Sequence, residues 1–374
     1  MMSGKASLIS AAALAALCVA MALVPSTAGV SSDSGKTVLA KVVSTDDSAV
    51  QLAGTVEYGT QRMEVELLGG KFAGRRFRAE NEMRAQLDID KKFRPGDTAV
   101  VGEPSEPDGG APLFARDHWR LGWAAALFAA FAALLCAFGG WTGVKALLSF
   151  AFSCLAVWKV LVPLCLGGWN AALVSFVTVA TLTMAVMLLV AGATEKGLVA
   201  FLGAMLGVAA SFGLAALFTS LMHVTGATLP YVQALLNSGY PGLDLADIFV
   251  GATVLASSGA VMDLAMDISA GQCEVAMHDP SIGFRGLLAS GLRMGRAVVG
   301  TMTTTLLLAY SGGYLTLLMA FAAQGTPPAA FLNSTLLSAE LVKTIVGSFG
   351  LVLVAPFTAL VGAAVYGKKN HTRR

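Results

Sequence analysis

The chain has 374 residues, of which 56% are hydrophobic and 13% charged, and its formal net charge is +2. This composition is too apolar for an ordinary soluble domain, and so small a net charge gives no reason to expect nucleic acid as a partner. The five cysteines include no CxxC pair, and the four histidines lack ligand spacing. We therefore predict no cofactor, no metal site and no disulfide framework.

The first 28 residues have the pattern of an export signal. Lys5 precedes an apolar run from Leu8 to Val24, and the small residues Ser26 and Ala28 suit signal-peptidase cleavage after Ala28. An uncleaved signal anchor is the alternative. In both cases the following segment is predicted to be exported.

Residues 29–113 are polar and contain short stretches typical of β-strands, separated by turn-forming residues such as Gly69-Gly70 and Arg94-Pro95-Gly96-Asp97. The pattern predicts a small exported β-barrel or sandwich, similar to an OB-type fold. The predicted strands are Thr37–Val43, Val50–Val56, Met63–Leu68, Arg75–Ala79 and Thr98–Val101.

Residues 114–366 contain seven apolar segments, each long enough to predict a transmembrane helix. The predicted fold is therefore mainly α: a polytopic membrane helix bundle with a small β domain before it and a basic tail at 367–374. The segments are Leu121–Phe138, Ala146–Leu166, Ala171–Val190, Leu198–Met222, Leu245–Ile268, Ala297–Ala323 and Val346–Tyr366.

Basic residues occupy every second gap between these segments. The second, fourth and sixth gaps contain no Lys or Arg, whereas the others and the tail do. Because positive residues stay on the cytoplasmic side, we predict a multipass protein of the cell membrane. Residues 29–113 are predicted to be extracytoplasmic and the C-terminus cytoplasmic. The basic residues are Lys145, Lys196, Arg285, Arg293, Arg296, Lys368, Lys369, Arg373 and Arg374.

Asp263 and Asp267 are the most informative charges inside an apolar segment. Their four-residue spacing places both on one helix face, after Ser257-Ser258-Gly259, which is able to kink a helix. Such carboxylates bind a cation or relay protons in many membrane proteins. The alternative is that they lie at the headgroup boundary and pair with Arg293 and Arg296.

Lys159 lies well inside the second segment, too deep to reach water easily. We predict a buried partner, with Glu340 as the candidate, although Lys343 offers Glu340 a local partner. Thr303 and Thr304 belong to a hydroxyl-rich stretch of the sixth segment, where threonines usually bond their own helix. Gly203 and Gly207 form a GxxxG pair that predicts close helix packing.

Three stretches resemble the YibE/F-like family of bacterial multipass membrane proteins. They are Gly259-Ala-Val-Met-Asp-Leu-Ala-Met; Gly295-Arg296 followed by Gly300-Thr-Met-Thr-Thr-Thr-Leu-Leu-Leu-Ala-Tyr; and Asn333-Ser334 with Glu340, Val346-Gly347-Ser348, Gly350 and Pro356-Phe-Thr-Ala-Leu. The resemblance covers most of residues 115–366 and implies a bacterial cytoplasmic-membrane protein. It implies no established activity, because members are described as multipass or permease-like.

The chain departs from the family pattern at three positions. Thr304 replaces an asparagine, Ala297 replaces a residue that is usually acidic, and Asp267 replaces a small polar residue. A carboxylate is thus lost from the sixth segment and gained on the fifth, which suggests Asp267 as a substitute partner for Arg296.

The leading hypothesis is a permease or channel-like protein for a small solute or ion in the lipid bilayer. Asp263 would interact with a cation or proton, and Arg296, Thr303 and Thr304 would line the same region. The alternative is a non-transporting scaffold or sensor whose exported domain binds an envelope protein; a homo-oligomer fits either. Catalytic motifs such as HExxH and GxSxG are absent from the sequence, so we do not expect an enzyme.

Overall fold

The computed structural model describes residues 4–24, 36–104, 106 and 110–372. The chain divides into two compact units, one formed by Gly29–Ala137 and the other by Met1–Ala28 with Phe138–Arg374. The predicted cleavage site after Ala28 and the basic residues Arg373 and Arg374 lie outside the described residues.

Six strands of the first unit form a barrel. β1, β5, β6, β4 and β3 are neighbours in that order, pairing between β1 and β3 closes the barrel, and β2 extends β3. β4 and β6 pair in parallel, whereas the other pairs are antiparallel. The strands are β1 Thr37–Asp46, β2 Val50–Ala53, β3 Val56–Leu67, β4 Arg76–Arg84, β5 Thr98–Gly102 and β6 Leu113–His118.

β6 corrects the predicted extent of this domain. The predicted β-rich domain ends at residue 113, but β6 pairs with both β5 and β4 and continues to His118. Among the described residues β6 is the strand that joins β5 to β4 and so closes the barrel. A sheet closed in this way has no exposed edge along its main strands.

The barrel interior follows the two-residue period of its strands, since alternate residues such as Ala40 and Val42 are buried. Two fully buried polar side chains interrupt this apolar interior. Gln61 exchanges two hydrogen bonds of 2.9 Å with the backbone of Phe93. Asn81 donates to Gln61 and to the carbonyl of Lys91. They hold the segment before β5 against β3 and β4.

Asp90 fixes the turn that follows β4. Its carboxylate accepts hydrogen bonds from the backbone N–H groups of Arg84, at 2.9 and 3.0 Å, and of Gln86, at 2.7 Å. The hydrogen bond from the Arg84 backbone and those from Gln86 and Ala85 lower the pKa of Asp90 below its ordinary value. A lowered pKa stabilises the fold above the unfolded-state pKa of about 4, and this contribution is lost as pH falls through the folded-state pKa.

We therefore expect Asp90→Asn to make the turn after β4 easier to cleave at pH 7 in limited proteolysis of the full chain. The difference from wild type should narrow as the pH falls below about 4 and disappear below the lowered folded-state pKa, where the wild-type carboxylate is also protonated. Asp88→Asn removes the same charge from an exposed neighbour and is the matched control. Equal sensitivity of both variants at pH 7 would contradict this role of Asp90.

The second unit, here called the membrane unit, is helical because its sequence consists of long apolar runs, several of which are preceded by capping residues. The side chains of Asn170, Thr194 and Asp244 accept hydrogen bonds from the first backbone N–H groups of α4, α5 and α7. The helices of the chain are α1 Gly4–Leu23, α2 Leu121–Ala156, α3 Val162–Leu166, α4 Ala171–Val190, α5 Glu195–Leu221, α6 Val232–Asn237, α7 Leu245–His278, α8 Phe284–Gly313, α9 Leu315–Ala323, α10 Pro328–Leu332 and α11 Thr335–Thr372.

In the described residues, five helical stretches are long and apolar enough to cross a membrane, or six if α8 and α9, which are bent by 62°, form one span. The predicted number of seven is not confirmed. The first two predicted segments fall within one 46-residue stretch, Leu121–Leu166. Gly140, with φ 52° and ψ −128°, interrupts this stretch, and Val157–Leu161 forms a π-helical turn in it.

α11 lies at the centre of the bundle and packs against α5, α7 and α8. Close contacts depend on small residues: Gly203 of α5 lies against Thr358, and Gly207 against Val354. α1 packs on α4, and its Ala11, Leu14 and Cys18 are buried in one apolar cluster with Phe152, Ala156, Leu182 and Leu189.

Candidate functional site

α7 carries the two aspartates on a side of the helix that is exposed in the described part of the chain. The helix packs against α4, α5, α8 and α11, and its opposite side is exposed. The helical period places the exposed residues Ala252, Ala256, Gly259, Asp263 and Asp267 along that side. Asp263 and Asp267 therefore share one face, as their spacing requires.

Asp263 and Asp267 form no hydrogen bond or ion pair within the part of the chain that the structure describes. The predicted alternative, in which they pair with Arg293 and Arg296 of the same chain, is therefore wrong. Both arginines are exposed on α8 and lie beyond ion-pair distance of the aspartates. Among the described residues, these two carboxylates and two guanidinium groups on adjacent helices have no ion-pair partner; charges of this kind are costly wherever they lie in hydrocarbon.

The threonines of α8 divide into two kinds. Thr301, Thr304 and Thr305 are exposed, and each donates a hydrogen bond of 2.9 to 3.1 Å to a carbonyl of its own helix. Thr303 differs from these three threonines, because its hydroxyl is buried and has no hydrogen-bond partner among the described residues. Thr303 and Thr304 therefore do not line one surface, although their sequence positions are adjacent.

Glu340 and Lys343 form an ion pair of 2.8 Å within α11, and their side chains are only 23% and 17% exposed. The Lys343 ammonium also lies 5.5 Å from the ring centre of Phe249 on α7, a cation–π distance. The predicted pairing of Glu340 with Lys159 is wrong, since the nearer lysine on its own helix takes this position.

Lys159 finds its partner at the end of α1. Its ammonium donates a 2.7 Å hydrogen bond to the carbonyl of Val24, directly after the last residue of α1. A cation at a helix C-terminus stabilises the unpaired carbonyls and the negative end of the helix dipole. Lys159 lies in the π-helical turn. It thus has a structural role in holding α1.

A cavity of about 590 Å³ with both polar and apolar lining residues lies where α5 ends and α7 begins. Asp247, which lines it, accepts a hydrogen bond from the side-chain amide of Asn170 at the start of α4. Thr219, which is 4% exposed, has an unpartnered hydroxyl among the described residues. This region includes the fourth gap between the predicted apolar segments, for which the only prediction concerned its lack of Lys and Arg. Its polar lining residues are Thr219, Ser220, His223, Thr225, Asp244 and Asp247.

Gln272 is a second feature that sequence analysis missed. It is fully buried in the membrane unit, and its amide nitrogen donates to the carbonyls of Leu287, at 2.9 Å, and Ala359, at 3.0 Å. One side chain therefore links α7, α8 and α11.

No group of three His, Cys, Asp or Glu side chains within the described ranges is placed to hold a metal ion.

Comparison with protein families gives a match to the model described as YibE/F-like protein over residues 127–368. This range covers most of the chain, including α4 to α8 and α11 up to its last turn. The chain belongs to the YibE/F-like family. The matched range begins after β6, so the barrel lies outside the family-defining part of this YibE/F-like protein. No curated protein and no solved structure matches the chain.

Proposed function

We propose that this YibE/F-like protein is a permease or channel-like protein for a small solute or ion, with Asp263 as the group that interacts with a cation or proton. The observation that carries the proposal is the position of Asp263, exposed and unpaired on α7 among the described residues. Ionisable groups in membrane helices are expensive and are retained mainly along ion, substrate or proton pathways. Arg296 and Thr304 are exposed on the adjacent helix and would line the same route.

The proposed topology has seven spans, with Gly140 dividing the first long stretch. A continuous helix of 46 residues would be about 69 Å long, more than twice the ~30 Å hydrocarbon thickness. The non-helical backbone at Gly140 separates it into two lengths that each suit one bilayer crossing. α8 and α9 together supply a further span, and the total becomes seven.

The alternation of basic residues supports an extracytoplasmic barrel and a cytoplasmic C-terminus. In this orientation the cavity between α5 and α7 opens toward the outside. Asp244 and Asp247 give it acidic walls, which favour the entry of cations. The cavity and Asp263 lie on the same helix, α7, with the cavity at its start and Asp263 farther along it.

Flux into proteoliposomes tests the proposal, with Na⁺, K⁺ and H⁺ followed by ion-sensitive dyes. We expect Asp263→Asn to reduce the flux of the transported cation by about tenfold, as expected for cation binding weakened by ~1.4 kcal/mol. Glu274→Gln on the same helix is the control, because Glu274 is 66% exposed near the end of α7. Unchanged flux in Asp263→Asn would remove this residue from the mechanism.

The second candidate is a scaffold or sensor that does not transport. The observation in its favour is the barrel, which is closed and has its own apolar interior, as expected of a binding module that folds by itself. If the exported domain alone restores the phenotype of a deletion strain, transport is the wrong interpretation. If the domain alone does not restore the phenotype and the full chain shows measurable flux, the permease hypothesis is supported.

A further inference from the structure

The turn after β4 lies at the end of the barrel from which α2 leaves. β4 and β6 pair in parallel, with Glu80 opposite Phe114. Continued along both strands, this register places Arg84, the last residue of β4, level with His118, the last residue of β6. The first part of α2, up to Ala137, belongs to the same compact unit as the barrel. The turn after β4 and the start of α2 therefore share one end of the barrel, here called the α2 end.

Any bilayer that α2 crosses begins close to the α2 end. The backbone N–H of Trp119 still donates a hydrogen bond of 2.8 Å to the carbonyl of Thr98 in β5, and α2 begins two residues later at Leu121. Two residues span at most about 7 Å. Trp119 and Trp123 are both exposed, and tryptophan is enriched where a span passes the lipid headgroups. The α2 end is therefore within reach of the headgroups.

The turn after β4 presents two large apolar side chains at this end of the barrel. Leu87 is 80% exposed and Ile89 is 59% exposed. Asp90 holds the turn from within, because its carboxylate accepts hydrogen bonds from the backbone N–H groups of Arg84 and Gln86. The two apolar side chains thus stand on a support that is already ordered, so little conformational entropy is lost when another surface covers them.

We infer that the turn after β4 docks on the bilayer that α2 crosses, with Leu87 and Ile89 inserted at the boundary between the headgroups and the acyl chains. Apolar side chains of interfacial segments enter this boundary by ~5–10 Å, a depth that suits a turn at the α2 end. Asp88 lies between the two apolar residues. It keeps the insertion shallow, because a carboxylate is costly in hydrocarbon and stays among headgroups that carry ammonium groups.

The other charges near the α2 end are suited to contact with headgroups, because several of them are already paired within the barrel unit. A paired charge loses less than a lone one when water is displaced around it. The pairs are Arg84 with Glu82 at 2.7 Å, Lys92 with Glu57 at 2.8 Å and Arg120 with Asp117 at 2.9 Å.

This inference requires α2 to cross a membrane and does not depend on transport. Quenching by spin-labelled lipid tests it on the full chain, with the five native cysteines replaced and Leu87→Cys carrying an environment-sensitive fluorophore. The protein is placed at one copy per nanodisc of phosphatidylethanolamine and phosphatidylglycerol, so that no second copy covers the turn. Some of the lipid carries a nitroxide near the headgroup end of its acyl chain.

Leu68→Cys is the matched control. Leu68 is also exposed, at 54%, and it follows the end of β3, whereas the start of β3 pairs with the end of β4 through Tyr58 and Arg84. Leu68 therefore lies at the opposite end of the barrel. Ile89→Cys is the second variant, and it should behave as Leu87→Cys does.

We expect the label at position 87 to emit at shorter wavelength than the label at position 68, and to lose about half or more of its emission to the nitroxide, as expected for insertion at the acyl boundary. The label at position 68 should keep its emission. Emission at position 87 that is typical of water and unquenched would overturn the inference. Emission that is shifted but unquenched would also overturn it, because protein rather than lipid would then cover the turn. Equal quenching at both positions would show that the barrel has no preferred end toward the bilayer, with the same consequence.

Discussion

Replacing Gly203 with leucine should prevent the membrane unit from folding. A Cβ atom at this position would clash with the hydroxyl oxygen of Thr358 and lie 2.8 Å from its Cα. Backbone cannot rotate away as a flexible side chain can, so α5 and α11 would have to separate. Overpacking of a well-packed interior usually costs ~1–3 kcal/mol. We expect a larger cost here, because α11 is also the helix against which α7 and α8 pack.

The measurement is the fraction of detergent-extracted protein that elutes as a single monodisperse peak, which we expect to fall by about tenfold or more. Gly213→Leu on the same helix is the control, since an added Cβ there has no heavy atom of the described residues within 4 Å. Wild-type behaviour of Gly203→Leu would mean that α5 and α11 do not pack at this point. Equal loss in both variants would indicate intolerance of α5 to leucine in general.

The GxxxG spacing correctly predicted that Gly203 and Gly207 serve close packing, but it could not identify the partner helix. Thr358 and Val354 lie about 150 positions later in the chain, and nothing in the sequence distinguishes α11 from other apolar segments as their neighbour. A local pattern such as GxxxG shows that one helix surface carries small residues and can be approached closely by another helix. Which helix provides the opposing surface depends on how all segments pack together.

The bounds of some helices and strands were predicted correctly, whereas others were missed. Ala171–Val190 has the predicted bounds because a capping asparagine and a glycine-containing turn enclose a mainly apolar run without charged residues. β6 was missed because Leu113–His118 is short, carries charges and follows a proline-rich linker. Its strand character depends on pairing with β5 and with β4, which ends almost thirty positions earlier in the chain.

For the candidate site, the sequence was enough to predict that the two aspartates share a helix face. It was not enough to predict whether that face is buried. A separation of four residues is sufficient to place Asp263 and Asp267 on one helix face. Whether that face is buried depends on α4, α5, α8 and α11, all of which pack on the other sides of α7. The partner of Lys159 was predicted wrongly for the same reason. The carbonyl of Val24 becomes available only because α1 packs beside α4.

Gln272→Glu should destabilise the membrane unit almost as strongly as Gly203→Leu. This holds although glutamate and glutamine side chains have nearly the same size. The Gln272 amide nitrogen lies 2.9 Å from the Leu287 carbonyl oxygen and 3.0 Å from that of Ala359. A carboxylate in its place would present a negative oxygen to two carbonyl oxygens at a fully buried position. Burial of an unpaired charge is among the most destabilising changes in a protein interior.

Gln272→Leu is the informative control. It removes the hydrogen bonds without adding charge, and the two carbonyls belong to α8 and α11, where helical N–H groups remain as donors. We expect a modest loss of about 1 kcal/mol for leucine and a loss of several kcal/mol for glutamate at pH 7. Acid should recover part of the glutamate loss, since a protonated carboxyl group donates a hydrogen bond. Thermal denaturation in detergent at pH 7 and pH 5 measures these differences. Equal midpoints for the leucine and glutamate variants at both pH values would show that water reaches position 272, and the three helices would then not be joined there by a buried amide.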